Sequence, residues 1–334
     1  MIKIEHLVKQ YGEKTVVNEI SFTVNDGEIV GFLGPNGAGK STTMNMITGY
    51  LSSTSGDISI DGFDILENTI EAKRHIGYLP EQPPLYLDMT VEEYMNFIYD
   101  LKGCTLNRKK HLNEIIDVTK LSDAWGRVIR NLSKGYKQRV GIAQALVGNP
   151  GTIILDEPTV GLDPKQVIEV RNLIRTLGRD HTIILSTHIL SEVQAVCDRV
   201  LVMNKGKLVA DERTEELVNA VDGNRRLSIK ICGPQREVLA MLKNRPGIVY
   251  AEALGEHDLD SVTYMVESER GVDIRKPLFA VLAQNNWPCI GIEPMGINLE
   301  DVFLSLVDKN ESAKSRKKRP VTPEFMTGSG KEAE

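Results

Sequence analysis

No run of about 18 apolar residues occurs in the 334-residue chain, so no segment of it spans a bilayer by itself. The opening Met1-Ile2-Lys3-Ile4-Glu5-His6 lacks the apolar core of a signal peptide. Cysteine is scarce: Cys104, Cys197, Cys232 and Cys289 are scattered without metal-like pairing, which suits reduced thiols in a cytoplasm. There is no basic excess either. The 40 Lys and Arg stand against 46 Asp and Glu, and the net charge of −6 argues against general nucleic-acid affinity, so no nucleic-acid partner is expected. What the chain has is length for two domains and ordinary apolar content for a buried core.

Between an apolar strand, Ile29–Leu33, and a helix beginning near Ser41 lies Gly34-Pro35-Asn36-Gly37-Ala38-Gly39-Lys40-Ser41, followed by Thr42. It fits the phosphate-loop pattern G-x-x-x-x-G-K-[ST]. The glycines let successive N–H groups turn toward one anion, and the helix N-terminus adds partial positive charge. Lys40 is placed to reach the β- and γ-phosphates, and the Ser41 hydroxyl to ligate a bridging magnesium ion. The competing reading is a glycine-rich turn before a helix.

Upstream, alternation at Ile2, Ile4, Ile20, Phe22 and Val24 predicts an antiparallel β layer. Tyr11 lies in its turn, where an aromatic could stack on adenine or close a small hydrophobic edge. Downstream, Met44, Ile47 and Leu51 recur at helical spacing, weakened by Gly49. A strand ending at Ile76-Gly77-Tyr78-Leu79-Pro80 runs into the loop Glu81-Gln82-Pro83-Pro84, and residues 85–130 read as a helical insertion with a Thr90/Glu93 capping box. Ser133 is a plausible N-cap for a helix to about Val147. Lys134 and Lys137 in its first turn oppose the helix dipole at about 0.3–1 kcal/mol each. A docked anion or plain solvation would offset that.

Thr152-Ile153-Ile154-Leu155 reads as a buried parallel strand delivering Asp156 and Glu157 at its carboxyl end. Asp163-Pro164 starts a helix that stops at Gly178. A further strand, Thr182 to Leu185, carries His188 three residues beyond its end. Together these residues describe a magnesium-dependent nucleoside triphosphatase. Asp156 serves the metal directly or through water, Glu157 orients or deprotonates the attacking water, and His188 hydrogen-bonds the γ-phosphate.

The order of these motifs, with Leu132-Ser133-Lys134-Gly135-Tyr136 and Gly161-Leu162-Asp163 in their places, resembles the ATP-binding cassette (ABC) family over residues 1 to about 215. The resemblance implies an α/β fold: a P-loop NTPase domain with a mixed sheet core, an antiparallel β subdomain and a helical subdomain. It also implies that Ser133 and Gly135 of one subunit close over the γ-phosphate held by the phosphate loop of a second, around ATP and Mg2+. Tyr11 matches the family's adenine-stacking aromatic. Lys134 and Tyr136 replace the first glycine and the glutamine of the family's usual Leu-Ser-Gly-Gly-Gln. The loop glutamine that senses magnesium aligns best with Glu81, with Gln82 one place late.

Tyr78-Leu79-Pro80-Glu81 and Asn298-Leu299-Glu300-Asp301-Val302-Phe303 further resemble stand-alone ATPase subunits of mostly prokaryotic exporters, among them gliding-motility, copper-site-assembly and multidrug systems. Such a subunit forms a homodimer or heterodimer. It works at the cytoplasmic face of the cell membrane on separate transmembrane permease subunits. The alternatives are an ABC ATPase without a transport partner and an effector-regulated nucleotide switch. The chain has a single phosphate loop, unlike two-cassette translation factors, and no sustained heptads, unlike chromosome-maintenance members.

Beyond residue 215 the patterns follow β-α-β-β-α-β order and predict a small α+β ferredoxin-like domain over residues 216–308, closed by a helix with Leu299, Val302, Phe303 and Leu306. The basic stretch 309–334 is expected to be a disordered tail.

Overall fold

A computed structural model describes residues 1–216, 226–258, 260–269 and 271–295. The chain opens with β1 (Ile2–Tyr11), β2 (Lys14–Val24), β3 (Ile29–Leu33), α1 (Lys40–Ile47), β4 (Ser55–Ile60), β5 (Phe63–Asp64), α2 (Thr69–Arg74) and β6 (Ile76–Leu79). The helical stretch α3 (Val91–Leu101), α4 (Arg108–Thr119) and α5 (Lys134–Leu146) follows. Then come β7 (Thr152–Asp156), α6 (Pro164–Leu177), β8 (Thr182–Thr187), α7 (Leu190–Val196), β9 (Arg199–Asn204) and β10 (Lys207–Arg213). The last described elements are β11 (Arg226–Cys232), α8 (Gln235–Lys243), β12 (Ile248–Asp258), β13 (Ser261–Ser268), α9 (Arg275–Gln284) and β14 (Cys289–Pro294).

The central sheet has the order β10-β9-β3-β8-β7-β6, parallel except for the β9–β10 hairpin. Every residue of β3, β7 and β8 is buried, as their continuous apolar runs require. Successive side chains point to opposite faces. Val30, Phe32, Ile154, Ile184 and Leu201 therefore pack toward β1, β2, β4 and α1. Ile29, Leu33, Ile153, Leu155, Ile183 and Val200 pack toward the helices. Each such side chain contributes about 1.5–3 kcal/mol of burial. The second sheet, β2-β1-β4-β5, is antiparallel throughout.

Caps set several helix starts as their residue types predict. Thr90 and Glu93 form a reciprocal capping box at α3, Ser133 accepts from the Tyr136 N–H at α5, and Asp163 with Pro164 opens α6. Two boundaries differ from expectation. α1 ends at Ile47, and Gly49 turns the chain at φ 64°, so Leu51 lies beyond the helix and packs from outside it. β8 runs on to Thr187, so His188 directly follows the strand.

The sheet β12-β13-β11-β14 has antiparallel neighbours throughout, and its β-α-β-β-α-β order is the ferredoxin-like arrangement. Its core includes Ile229, Ile231, Tyr264, Val238 and Leu278. The helix expected over 299–306 and the tail over 309–334 lie outside the described residues. Among the described residues no helix is long and apolar enough to cross a membrane.

Candidate functional site

The carboxyl ends of β3, β7 and β8 meet at one edge of the sheet, where α/β proteins bind ligands. The phosphate loop leaves β3 there. An added Cβ at Gly34 would come 2.4 Å from the Met203 carbonyl oxygen, and Gly39 sits at φ 108°, so both positions demand glycine. Gly39 is the N-cap of α1 and supplies no side-chain cap, so the first N–H groups of that helix have no intrahelical partner. A cleft of about 350 Å³ opens over them, lined by Asn36, Gly37, Gly39, Lys40, Ser41, Thr42, Val16, Glu81, Glu157, Val160 and His188.

The charged groups in this cleft hold one another. The Lys40 ammonium donates to the carbonyls of Gly34 at 2.8 Å and Pro35 at 3.3 Å, and lies 3.5 Å from Glu157 Oε1. Lys40 is 5% exposed and Glu157 6%. Ser41 Oγ donates to Asp156 Oδ1 at 3.2 Å, and the Ser186 hydroxyl donates to the same oxygen. The Glu157 N–H donates to Ser186 Oγ at 3.0 Å and to its carbonyl at 3.1 Å. His188 Nδ1 lies 2.9 and 3.1 Å from the two Glu157 carboxylate oxygens. Burial first, then the carboxylates of Asp156 and Glu81, pushes the Tyr78 phenol up, so Tyr78 remains a neutral donor to Asn45 Oδ1 at 3.0 Å.

The structure therefore gathers Lys40, Ser41, Asp156, Glu157 and His188, together with Asn36, Gly37, Gly39, Thr42 and Glu81. Gly34, Pro35 and Ala38 shape the loop without lining the cleft; the Ala38 N–H donates to the Pro35 carbonyl at 3.1 Å. Gln82 is exposed, and only Glu81 of that pair reaches the lining. Tyr11 is the last residue of β1 rather than part of the turn. It is 51% exposed, with the Lys9 ammonium 5.1 Å from its ring, and does not line the cleft. Ser133 and Gly135 do not line it either. Lys137 Nζ donates to the Arg130 carbonyl at 3.1 Å, and Lys134 lies over Gly161. The Tyr136 hydroxyl donates to Asp123, a bond that raises the phenol's pKa, and the Arg139 guanidinium lies 5.4 Å from the Tyr136 ring.

Ser186 was missed by sequence reasoning, although its position at the end of a buried strand was the available signal.

A strand, a phosphate loop and a helix, with a carboxylate pair at the end of a neighbouring parallel strand, define a P-loop nucleoside triphosphatase. A family model described as ABC transporter matches residues 17–160. YhcH of Bacillus subtilis (strain 168), an uncharacterized ABC transporter ATP-binding protein, is 30% identical over 93% of this chain and 97% of its own length. The bacitracin transport ATP-binding protein BcrA of Bacillus licheniformis is 39% identical over 63% of this chain and 69% of BcrA. Among solved structures, the dimeric ABC transporter cassette MJ0796 matches with TM-score 0.58 and 28% identity, covering 64% of this chain and 99% of that one. The same cassette is also known in a post-hydrolysis state bound to ADP and Pi. The chain belongs to the ABC transporter family as an ATP-binding subunit, and it is an ABC ATPase.

Proposed function

We propose that this chain hydrolyses Mg-ATP as the ATPase subunit of an exporter, two cassettes closing head to tail around two nucleotides and driving separate membrane-spanning subunits. The observation that carries the chemistry is Glu157, a buried carboxylate in contact with Lys40 and His188 beside the Ser41–Asp156 pair. The phosphate-loop N–H groups and Lys40 bind the phosphates, and Thr42 borders them. Glu157 orients the attacking water and accepts its proton. His188, with Nδ1 turned toward the Glu157 carboxylate, presents its Nε2 edge to a γ-phosphate oxygen, where a hydrogen bond stabilises charge developing in the transition state.

The Ser41 hydroxyl and Asp156 carboxylate are hard oxygen donors 3.2 Å apart, and Glu81 lines the same cleft, a set that fits magnesium. When bound, the ion neutralises charge shared by the β- and γ-phosphates. Ser133 and Gly135 serve the nucleotide of the second cassette, and Tyr11 the adenine.

A groove of about 330 Å³ supports the placement of a permease on this chain. It is lined by Tyr50, 83% exposed, and Leu101, 69% exposed, with Tyr78 and Lys102. Tyr78 belongs to β6, which leads directly into Glu81, so groove and cleft share one segment. A permease docked there would hold the subunit at the cytoplasmic face of the membrane. The bacitracin and lantibiotic transport proteins among its relatives favour export. Residues 1–215 form the ATPase unit, and 216–308 an accessory unit.

Glu157→Gln tests the reading. Phosphate release is expected to fall by about 100-fold or more, with ATP binding retained and an ATP-bound dimer accumulating on size exclusion. Wild-type turnover in that variant would remove Glu157 from the chemistry.

A further inference from the structure

Glu192 is a carboxylate 3% exposed, on α7, outside the cleft lining. Burying a charge is unfavourable unless hydrogen bonds and a counter-charge compensate, and an apolar side chain would fill the same space without that penalty. Its two oxygens are shared between two different segments. Thr187 donates to Oε2 at 2.8 Å and Thr159 to Oε1 at 2.6 Å, while Arg171 Nη2 of α6 lies 3.9 Å from Oε1.

Both threonines adjoin the chemistry. Thr187 immediately precedes His188, and its hydroxyl also accepts from the Ile189 N–H at 3.1 Å, so the His188 peptide is held on both sides. The Thr187 carbonyl accepts from the Gly34 N–H at 3.4 Å, at the start of the phosphate loop. Thr159 is two residues past Glu157, in a turn where the Val160 N–H donates to the Glu157 carbonyl at 3.2 Å and the Leu162 N–H to the Thr159 carbonyl at 3.2 Å. A shift at Thr159 is therefore transmitted to Glu157 and to the loop Gly161-Leu162-Asp163.

We propose that Glu192 is a positioning residue for hydrolysis: one buried carboxylate fixes the segment carrying Glu157 to the segment carrying His188, and so keeps their side chains in mutual register. This rests on the roles assigned to Glu157 and His188 above. Glu192 contacts Thr159, Thr187 and Arg171, none of which supplies a phosphate-binding group of the loop, so the effect falls on turnover rather than on nucleotide affinity.

The test is steady-state ATP hydrolysis by the full chain carrying Glu192→Gln, with Thr159→Val and Thr187→Val singly and in combination. Gln keeps one acceptor oxygen and loses the other. Turnover is expected to drop about tenfold with KM for ATP within about twofold, the size expected of a small misplacement of reacting groups. Each Thr variant lowers kcat less, and adding either to Glu192→Gln costs less than its loss in the wild-type background, the non-additivity of groups acting through one shared side chain. Wild-type kcat in Glu192→Gln overturns the proposal, as do fully additive losses or a parallel loss of ATP binding. Should Glu192→Gln fail to fold, the two Thr variants decide: unchanged kcat in both overturns it. Glu157→Gln, measured alongside, separates the two readings. If Glu157→Gln turns over normally, the assignment of the site falls; if it is inactive while Glu192→Gln is not, only the positioning role falls.

Discussion

The phosphate-loop cleft and the Leu132–Lys137 segment are built in opposite ways. In the cleft, Lys40, Asp156 and Glu157 are buried, and each is bonded to partners within the same chain. At the other segment Ser133 and Lys134 are exposed, Leu132 and Gly135 are buried, and Tyr136 is half-buried against the core. Gly135 sits against Gln166, where an added Cβ would come 2.7 Å from the side-chain amide carbon, so the segment is held firmly to α6 while its polar groups face outward. The cleft has its geometry fixed beforehand by internal bonds. The segment offers a rigid polar surface without a phosphate in its own chain, which suits completion of a second cassette's site.

The strongest way to break that comparison is to damage the two regions in separate copies. Lys40→Ala alone and Ser133→Arg alone are each expected to lower turnover by about 100-fold or more, as losing a phosphate-binding charge or blocking a site does. Mixing the two purified variants should restore hydrolysis, because a mixed dimer keeps one composite site with both halves intact. No recovery on mixing would mean that each chain works alone. A smaller effect sharpens the cleft side: Ser186→Ala removes the hydroxyl shared by Asp156 and the Glu157 N–H. We expect kcat to fall about tenfold with ATP affinity little changed; equal loss of both would make Ser186 a general structural residue.

Deleting residues 220–308 addresses the outward-facing side. ATP binding should stay within about twofold while self-association weakens about threefold, a change of under 1 kcal/mol. A folded truncation unable to bind ATP would contradict the division into units. The smallest effect concerns a region remote from both. His111 accepts from the Gly148 N–H at 3.0 Å, and desolvation lowers its pKa. A histidine held below its unfolded value binds fewer protons when folded. Its stabilising contribution is therefore present above the ordinary histidine pKa of about 6.5 and is lost as pH falls through that value and the lower folded one. The melting temperature of the wild type should drop more steeply between about pH 7 and pH 5 than that of His111→Gln. Parallel slopes would count against His111 as the titrating group.

What was legible in the sequence was local. The phosphate loop, the caps at Thr90, Ser133 and Asp163, and the buried runs of β7 and β8 depend on residues within a few positions of one another, and they lie where the pattern put them, β8 running two residues further. The end of α1 was misjudged at Leu51 because a hydrophobic contact made from outside a helix has the same spacing as one made from within. The choice between Glu81 and Gln82 depends on how a proline-bounded loop meets a cleft 40 residues away in sequence from Ser41, which periodicity does not encode. Glu192 was invisible for a related reason. A glutamate on a short helix reads as a solvated charge until Thr159 and Thr187 are brought to it by the packing of α7 against β8 and α6.

Glu157 has a φ of 48°, the left-handed region that a non-glycine side chain enters at a cost of roughly 1–2 kcal/mol. The Glu157 N–H, donating to both the hydroxyl and the carbonyl of Ser186, and the side-chain contacts to His188 and Lys40 hold it there. Selection for folding alone would favour glycine or asparagine at this turn, whereas the proposed chemistry needs a carboxylate. Stability and turnover thus pull one residue in opposite directions, and the surrounding bonds are what let the conflict persist.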